Sequence, residues 1–533
     1  MAVRDIHPSH EGRQVAEHRR QILWIDDEID ELRSHVLFLE SHGYDVVPAA
    51  NGQDGLTVLR DGAFDAVLLD HRMAGMDGLD VLDAIKTERP HLPVVMVTQS
   101  QEDTLMDDAL RRQVDDFLVK PVQAVQVART LRRIVERQAL TEEATPQMYL
   151  RDYGELLASR SGDISWKEWA AIYQRLVAWD MREDDLERSG LAASHRELHA
   201  EYNRAFCEYV ATNYPAWVKG GDSPTLSVDV LDRFVLPHVQ RGEQVFFVVI
   251  DCMRLDQWRT IEPLLAPLFD IETELYYGIL PSATGYARNA LFSGLFPKEI
   301  AERHPQFWSE SCDTDSSTNR HEKQLLELKL ERDGLYLKPP PRYFKIFDAR
   351  GGEEYRQRVA SFDRVSLATL VVNFLDVLTH ERSQSDVLQQ IAPDERAFRS
   401  LMESWFRNSD LFRIFEIMAE KNATVVVTTD HGSVLCDRAS KAFGNRDTTT
   451  SLRFKVGDRI DGDPEEAVKI DDPSMYNLPS DHSGKNYLLA KEDYYFVYPT
   501  EFNAYRRQLK GGFQHGGISM QELLIPCATL RPR

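Results

Sequence analysis

The chain has 533 residues, 42% of them hydrophobic and 28% charged, with a formal net charge of −23. That length exceeds one ordinary core and implies two or three domains. The acidic balance excludes a general nucleic-acid-coating role and adhesion to an anionic membrane, but not one nucleotide or short strand in a locally positive cleft.

The five cysteines (Cys207, Cys252, Cys312, Cys436, Cys527) are scattered without a C-x-x-C spacing, which points to a reducing compartment and away from a thiolate zinc site. Residues 1–20 form a tail rich in His and Arg that lacks the apolar stretch of a secretory signal. No apolar run approaches the roughly 20 residues of a membrane span. The expectation is a cytoplasmic protein without membrane insertion.

From Gln21 the chain alternates strands and helices. The strand I-L-W-I closes in Asp26 and Asp27, and an amphipathic segment carries Leu32, Val36 and Leu39. Tyr44 to Val47 reads as a strand and Gly52 to Leu59 as a helix. The strand A-V-L-L-D ends at Asp70, and a helix follows Gly78 as far as Lys86. P-V-V-M-V-T ends at Thr98, and D-F-L-V-K-P carries Phe117, Lys120 and Pro121. Such alternation implies a parallel sheet with right-handed crossovers, which collects strand-end groups at one edge.

This order of residues resembles the receiver domain of two-component response regulators. The resemblance implies a flavodoxin-like fold, with Asp26, Asp27 and Asp70 holding Mg²⁺ and Asp70 accepting the phosphoryl group. It assigns the switch hydroxyl to Thr98, the switch aromatic to Phe117 and the phosphate-pairing lysine to Lys120. The chemistry is coherent, because Mg²⁺ takes hard oxygen ligands and a carboxylate can accept a phosphoryl group in line. Arg72 is a departure two residues after Asp70, where a backbone carbonyl would meet the ion, so its side chain leaves the assignment standing.

Between residues 124 and 242 the pattern becomes helical. Trp166, Trp169, Tyr173, Trp179, Tyr202, Phe206 and Tyr209 recur at helical spacing and are expected to form a bundle core. His195 and His199 stand i,i+4, with no acidic partner evident, and are read as surface residues. Asn213 to Pro224, rich in Gly and Pro, reads as a joint.

The C-terminal stretch carries strand-end acids. V-F-F-V-V-I ends in Asp251, and A-T-V-V-V-T-T ends in Asp430-His431-Gly432, where carboxylate and imidazole together suit a divalent transition metal such as zinc. Thr284 follows P-S-A at an expected helix start, a place that favours a phosphate, with Arg288 and Asn289 close enough in sequence to reach it. Asp376 and His380, i,i+4 on a helix, share one face and can chelate one ion. His515 precedes two glycines.

Together these features resemble the PglZ branch of the alkaline-phosphatase superfamily over residues 243–533. The resemblance implies one Zn²⁺ held by Asp251, Asp430 and His431, another by Asp376, His380 and His515, and Thr284 as nucleophile. Ser282 is a rival hydroxyl two residues earlier. Arg288 and Asn289 are the expected substrate contacts. His304 to Lys345 and Cys436 to Asp481 read as polar insertions forming loops or lids, with His321 and His482 inside them.

The expected architecture is α/β, with a tail (1–20), a flavodoxin-like receiver (21–123), a helical-bundle connector (124–242) and an alkaline-phosphatase-like α/β domain (243–533). The combination resembles PorX-type response regulators. That resemblance implies phosphorylation of Asp70 by a sensor histidine kinase, phosphorylation-dependent homodimerisation, and a zinc-dependent phosphodiesterase acting on nucleotides or short oligonucleotides. It also implies a link to type IX secretion and partners such as a sigma factor or a secretion-motor protein. The alternative is a non-catalytic signalling scaffold whose metal domain docks such partners. A DNA-binding regulator is excluded by the charge and by the lack of a basic recognition helix after the receiver.

Overall fold

Period-two alternation sorts the receiver's apolar residues onto the two faces of one sheet. In the computed structural model, which describes residues 19–89, 92–99, 114–160, 162–308, 321–444, 449–480, 484–497, 506 and 509–533, the strands are β1 (Arg20–Ile25), β2 (Tyr44–Ala49), β3 (Ala66–Asp70), β4 (Val94–Thr98) and β5 (Asp116–Val119). They pair in the order β2-β1-β3-β4-β5, all parallel. Ile22, Trp24, Leu68 and Val97 join the core on one face, and Leu23, Ile25, Leu69 and Met96 the core on the other.

Helices α1 (Arg33–Ser41), α2 (Gly52–Asp61) and α3 (Gly78–Glu88) fall where the sequence pattern puts them. Asn51 caps α2 by accepting from the Asp54 amide at 2.9 Å, and Asp77 caps α3 at the Leu79 amide. The segment between β4 and β5 lies mostly outside the described residues.

The chain divides into two compact units, Met1–Leu150 and Arg151–Arg533. The second contains the helices Trp166–Asp180, Glu183–Arg188 and Ala192–Trp217. Trp169, Tyr173, Trp179, Tyr202 and Phe206 are buried as expected and Trp166 and Tyr209 are half-buried, but these helices do not build a bundle core of their own. Trp169, Tyr173, Tyr202 and Phe206 share one core with Phe246, Val248 and Tyr277 of the following sheet.

The expected joint at Asn213–Pro224 is helical as far as Trp217 despite Pro215. Packing overrides composition there: Trp217 meets Tyr277 edge-on at 5.3 Å, and the Tyr214 hydroxyl accepts from the Leu280 amide at 3.0 Å. His195 is not a surface residue. It is 4% exposed, and its Nε2 lies 2.8 Å from Asp180, an acidic partner that the sequence did not reveal.

The next strands are β6 (Val245–Ile250), β7 (Phe269–Tyr277), β8 (Arg342–Ile346), β9 (Leu367–Val372), β10 (Thr424–Thr428) and, at the end of the chain, β11 (Leu524–Pro532). They form the central sheet of this unit in the order β7-β11-β10-β6-β9-β8. Strands β6, β8, β9 and β10 run parallel, and β11 pairs antiparallel to both β10 and β7. Both stretches expected to be loops contain regular structure. Glu322–Arg332 is a helix and β8 closes one edge of the sheet, while Phe454–Asp458, Ala467–Ile470 and Lys485–Ala490 form a three-stranded sheet. Apolar residues inside those polar stretches, such as Leu325, Leu326 and Leu330, find a buried face and order them. His321 stands against Phe307, with ring centroids 4.9 Å apart. Cys312 and His482 lie outside the described residues.

Candidate functional site

Buried apolar strands hold polar groups only at their ends, so the carboxyl edges of both sheets gather the chemistry. In the receiver, ligand atoms of Asp26, Asp27 and Asp70 lie within 4.8 Å of one another. Lys120 Nζ stands 3.1 Å from Asp26 and 3.2 Å from Asp70. Burial and the neighbouring Asp26 charge raise the Asp70 carboxyl to about 6, with Lys120 pulling the other way. Thr98 is buried at the end of β4, and Phe117 is half-buried in β5. The group can hold a hard divalent cation beside the Asp70 carboxylate.

In the second unit, Asp251 follows β6, and Asp430 and His431 follow β10; all three are fully buried, and their ligand atoms lie within 4.8 Å of each other. Cys252, next to Asp251, takes a φ of 65°, a strained left-handed conformation that turns the chain directly after the acid. His431 Nδ1 lies 3.0 Å from the Gly432 carbonyl, a contact that orients the ring with Nε2 facing the cluster. Nε2 is 3.8 Å from Asp251 Oδ1 and 2.9 Å from Thr284 Oγ1.

Asp376 and His380, on the helix Phe374–Gln384, meet His515 in a second cluster. The His380 and His515 Nε2 atoms lie 3.4 and 3.6 Å from Asp376 Oδ1. That oxygen is buried and finds no hydrogen-bond donor among the described residues. Burial opposes ionisation of Asp376, yet His380 and His515 hold its pKa well below the usual range. Burial, with His431 and His380 nearby, lowers the His515 imidazole to about 3, so it presents a neutral ring. The rings of His515 and His431 stack at 4.2 Å, which makes the two clusters neighbours. His380 is 41% exposed, so the second cluster is the one open to solvent. Two convergent O/N donor sets, one with an orphaned carboxylate oxygen, fit divalent cations.

The two candidate hydroxyls differ. Thr284, 1% exposed, opens the helix Thr284–Ser293 and faces His431. Ser282 donates to the Gly517 carbonyl at 2.9 Å and accepts from the Gly516 amide at 3.1 Å, so it ties down the His515 loop.

Both expected substrate contacts turn inward. Arg288 is fully buried: its guanidinium donates to Asp430 Oδ2 at 3.0 Å, pairs with Asp251 and faces Glu322. The two strand-end carboxylates are the compensation that a buried guanidinium requires. Burial raises the Asp430 pKa, but Arg288 and His431 outweigh it and hold the carboxyl at about 2. Asn289 Nδ2 donates to the Gly285 carbonyl at 3.0 Å within its own helix.

Sequence reasoning missed four supporting groups. Asn373 donates to Asp251 at 3.0 Å, and Glu322 faces Arg288. The buried pair Arg453–Glu522 braces the His515 loop, where Glu522 also accepts from the Gly517 amide at 2.8 Å. Asn373 ends a buried strand as Asp251 does, a signal that was available; Glu322 lies in a run of charges and carried none.

The family model of the BREX system PglZ alkaline phosphatase-like domain matches residues 230–530, more than half of the chain. The chain belongs to the PglZ family. A response regulator receiver domain matches 22–132 and a PorX response regulator linker domain 139–218, so the three domains together match a PorX-type regulator.

The chain is similar to the transcriptional regulatory protein ZraR of Klebsiella oxytoca (35% identical over 144 residues, 27% of this chain and 31% of ZraR). It is also similar to AfsQ1 of Streptomyces coelicolor (30% identical, 27% of this chain and 64% of AfsQ1). It thus spans under a third of the ZraR length. Among solved structures, the receiver domain of NtrX from Brucella abortus is 33% identical (22% of this chain, 98% of that one, TM-score 0.21). Among the described residues, no helix is long and apolar enough to cross a membrane.

Proposed function

We propose that this protein is a cytoplasmic response regulator phosphorylated on Asp70 by a histidine kinase, whose PglZ domain is a zinc-dependent phosphodiesterase acting on nucleotides or short oligonucleotides. One observation carries the reading: Thr284 Oγ1 sits 2.9 Å from His431 Nε2, at a helix N-terminus beside two neighbouring donor clusters. Asp251, Asp430 and His431 would hold one zinc and Asp376, His380 and His515 the other; zinc bound there supplies Lewis-acid stabilisation of phosphate charge. Thr284 Oγ1 gives up its proton to solvent water as it forms the bond to phosphorus. The bond from phosphorus to the departing ester oxygen breaks, that oxygen keeps the electron pair and takes a proton from water, and a second water then attacks phosphorus, breaks its bond to Oγ1 and returns a proton to Thr284. Free amides at the start of the Thr284–Ser293 helix orient the phosphate oxygens. Magnesium at Asp26, Asp27 and Asp70 serves the receiver, and the link to type IX secretion and a sigma factor comes from the PorX-type resemblance.

The test is Thr284→Ala. It should keep both zincs yet lose about 10²-fold or more in turnover of a chromogenic phosphodiester, because the covalent path is gone. Thr284→Ser should retain part of the rate. Full activity in Thr284→Ala would assign the attack to water or to Ser282. A second reading, a scaffold with structural metals that docks protein partners, draws on the depth of the first cluster, where Asp251, Asp430 and His431 are fully buried. It expects no zinc-dependent turnover from the wild type.

A further inference from the structure

We infer that Arg288, Glu322 and Lys345 form a buried charge clamp that positions the Asp251 and Asp430 carboxylates and sets that cluster's affinity for a dication. The inference rests on the zinc reading and deepens it. Arg288 offers a planar fork: Nε lies 3.0 Å from Asp430 Oδ2, Nη2 pairs with Asp251 Oδ2, and Nη1 lies 3.4 Å from Glu322 Oε1. Each aspartate is thereby engaged through one oxygen, which fixes its carboxylate plane and the direction in which the other oxygen points. Asn373 adds a second donor to Asp251 Oδ2 at 3.0 Å.

Glu322 is 1% exposed; burial pushes its carboxyl pKa up, and the neighbouring Arg288 and Lys345 charges oppose that rise. Lys345 Nζ lies 3.0 Å from its Oε2, and the Tyr343 hydroxyl donates to the same oxygen. The Lys345 side chain, 17% exposed, is the outer end of this row of charges. The three residues come from a helix at the site, a helix after it and the edge strand β8, so only the tertiary fold aligns them.

The electrostatics give a signed expectation. A dication held by Asp251 and Asp430 is repelled by the guanidinium beside them, and in a buried site that repulsion is poorly screened. Glu322 offsets the guanidinium, and Lys345 in turn offsets Glu322. Removing the Glu322 charge should therefore weaken metal binding, and removing the Lys345 charge should strengthen it. Packing alone predicts no such opposition of sign. Arg288, Glu322 and Lys345 thus act as positioning residues, through the ligands rather than on substrate.

The experiment is a zinc titration of the full chain against a chromogenic chelator, with a His380→Ala background, which lacks the second cluster, to isolate the first. Glu322→Gln should weaken the first-cluster zinc by about 10-fold or more, the scale on which groups behind metal ligands act, and leave the second unchanged. Lys345→Met should tighten the same zinc by roughly 3-fold, and Glu322→Gln with Lys345→Met should return to within roughly 3-fold of wild type. Unchanged affinity in both single variants, or a double variant as weak as Glu322→Gln, overturns the clamp. Should Glu322→Gln not fold, Lys345→Met decides alone, since its side chain reaches the surface; unchanged or weaker binding there refutes the inference. A wild type that binds no zinc at the first cluster overturns the zinc reading itself, a result distinct from failure of the clamp.

Discussion

Gly432 has no room for a side chain. A Cβ there would lie 1.9 Å from the Gln521 carbonyl oxygen, and the Gly432 amide donates to the Glu522 carbonyl at 3.1 Å, so neither the Gly432 loop nor the short helix Met520–Leu523 can yield alone. Gly432→Ala should push Asp430 and His431 away from Asp251 and cost roughly 1–3 kcal/mol, read as a lower urea midpoint. An unchanged midpoint would mean that the loop and the helix part freely. His380 occupies the opposite situation, half open to solvent, with Asp376 and His515 converging on its Nε2. His380→Ala should remove about one of two bound zincs with little loss of stability; full zinc retention would remove His380 from the site.

Among the elements, the helix Leu255–Leu265 that follows β6 is anchored by a buried ion-pair network. Asp256 accepts from Arg254 Nε at 2.9 Å and from Arg399 Nη1 at 3.1 Å, and Arg399 also donates to the Asp180 carbonyl at 3.1 Å. Burial raises the Asp256 pKa, but Arg254 and Arg399 outweigh it and bring the carboxyl from 3.8 down to about 2. A folded-state pKa below the unfolded one stabilises the fold above the unfolded value, and that contribution is lost as pH falls from about 4 towards 2. Asp256→Asn leaves two buried guanidinium groups short of a charge and should cost about 3 kcal/mol at neutral pH. The gap between variant and wild type should close as pH falls from about 4 to 2; a constant gap would locate the effect in packing.

For the protein as a signalling device, Asp70 is the expected input. It is the acid that ends β3 opposite Lys120, and its carboxyl sits near 6, ionised at neutral pH. Asp70→Asn should abolish acetyl-phosphate labelling, and beryllofluoride should shift wild type, but not the variant, towards a dimer in sedimentation velocity. Undiminished labelling of the variant would place the acceptor elsewhere.

Local pattern alone determined much of this protein. Alternating apolar strands ending in Asp26, Asp70, Thr98, Asp251 and Asp430 announce parallel sheets with polar groups at one edge, because a buried strand tolerates such groups only at its ends. The i,i+4 spacing of Asp376 and His380 likewise puts both on one helix face. Only the tertiary structure decided which groups meet across long separations. It seats Arg288 on two strand-end acids, brings Glu322 out of a run of charges to face it, and commits Ser282 to the His515 loop while Thr284 faces His431. A charge in a polar stretch reads as solvated until packing removes the water, and the need to compensate a buried guanidinium then selects its partners.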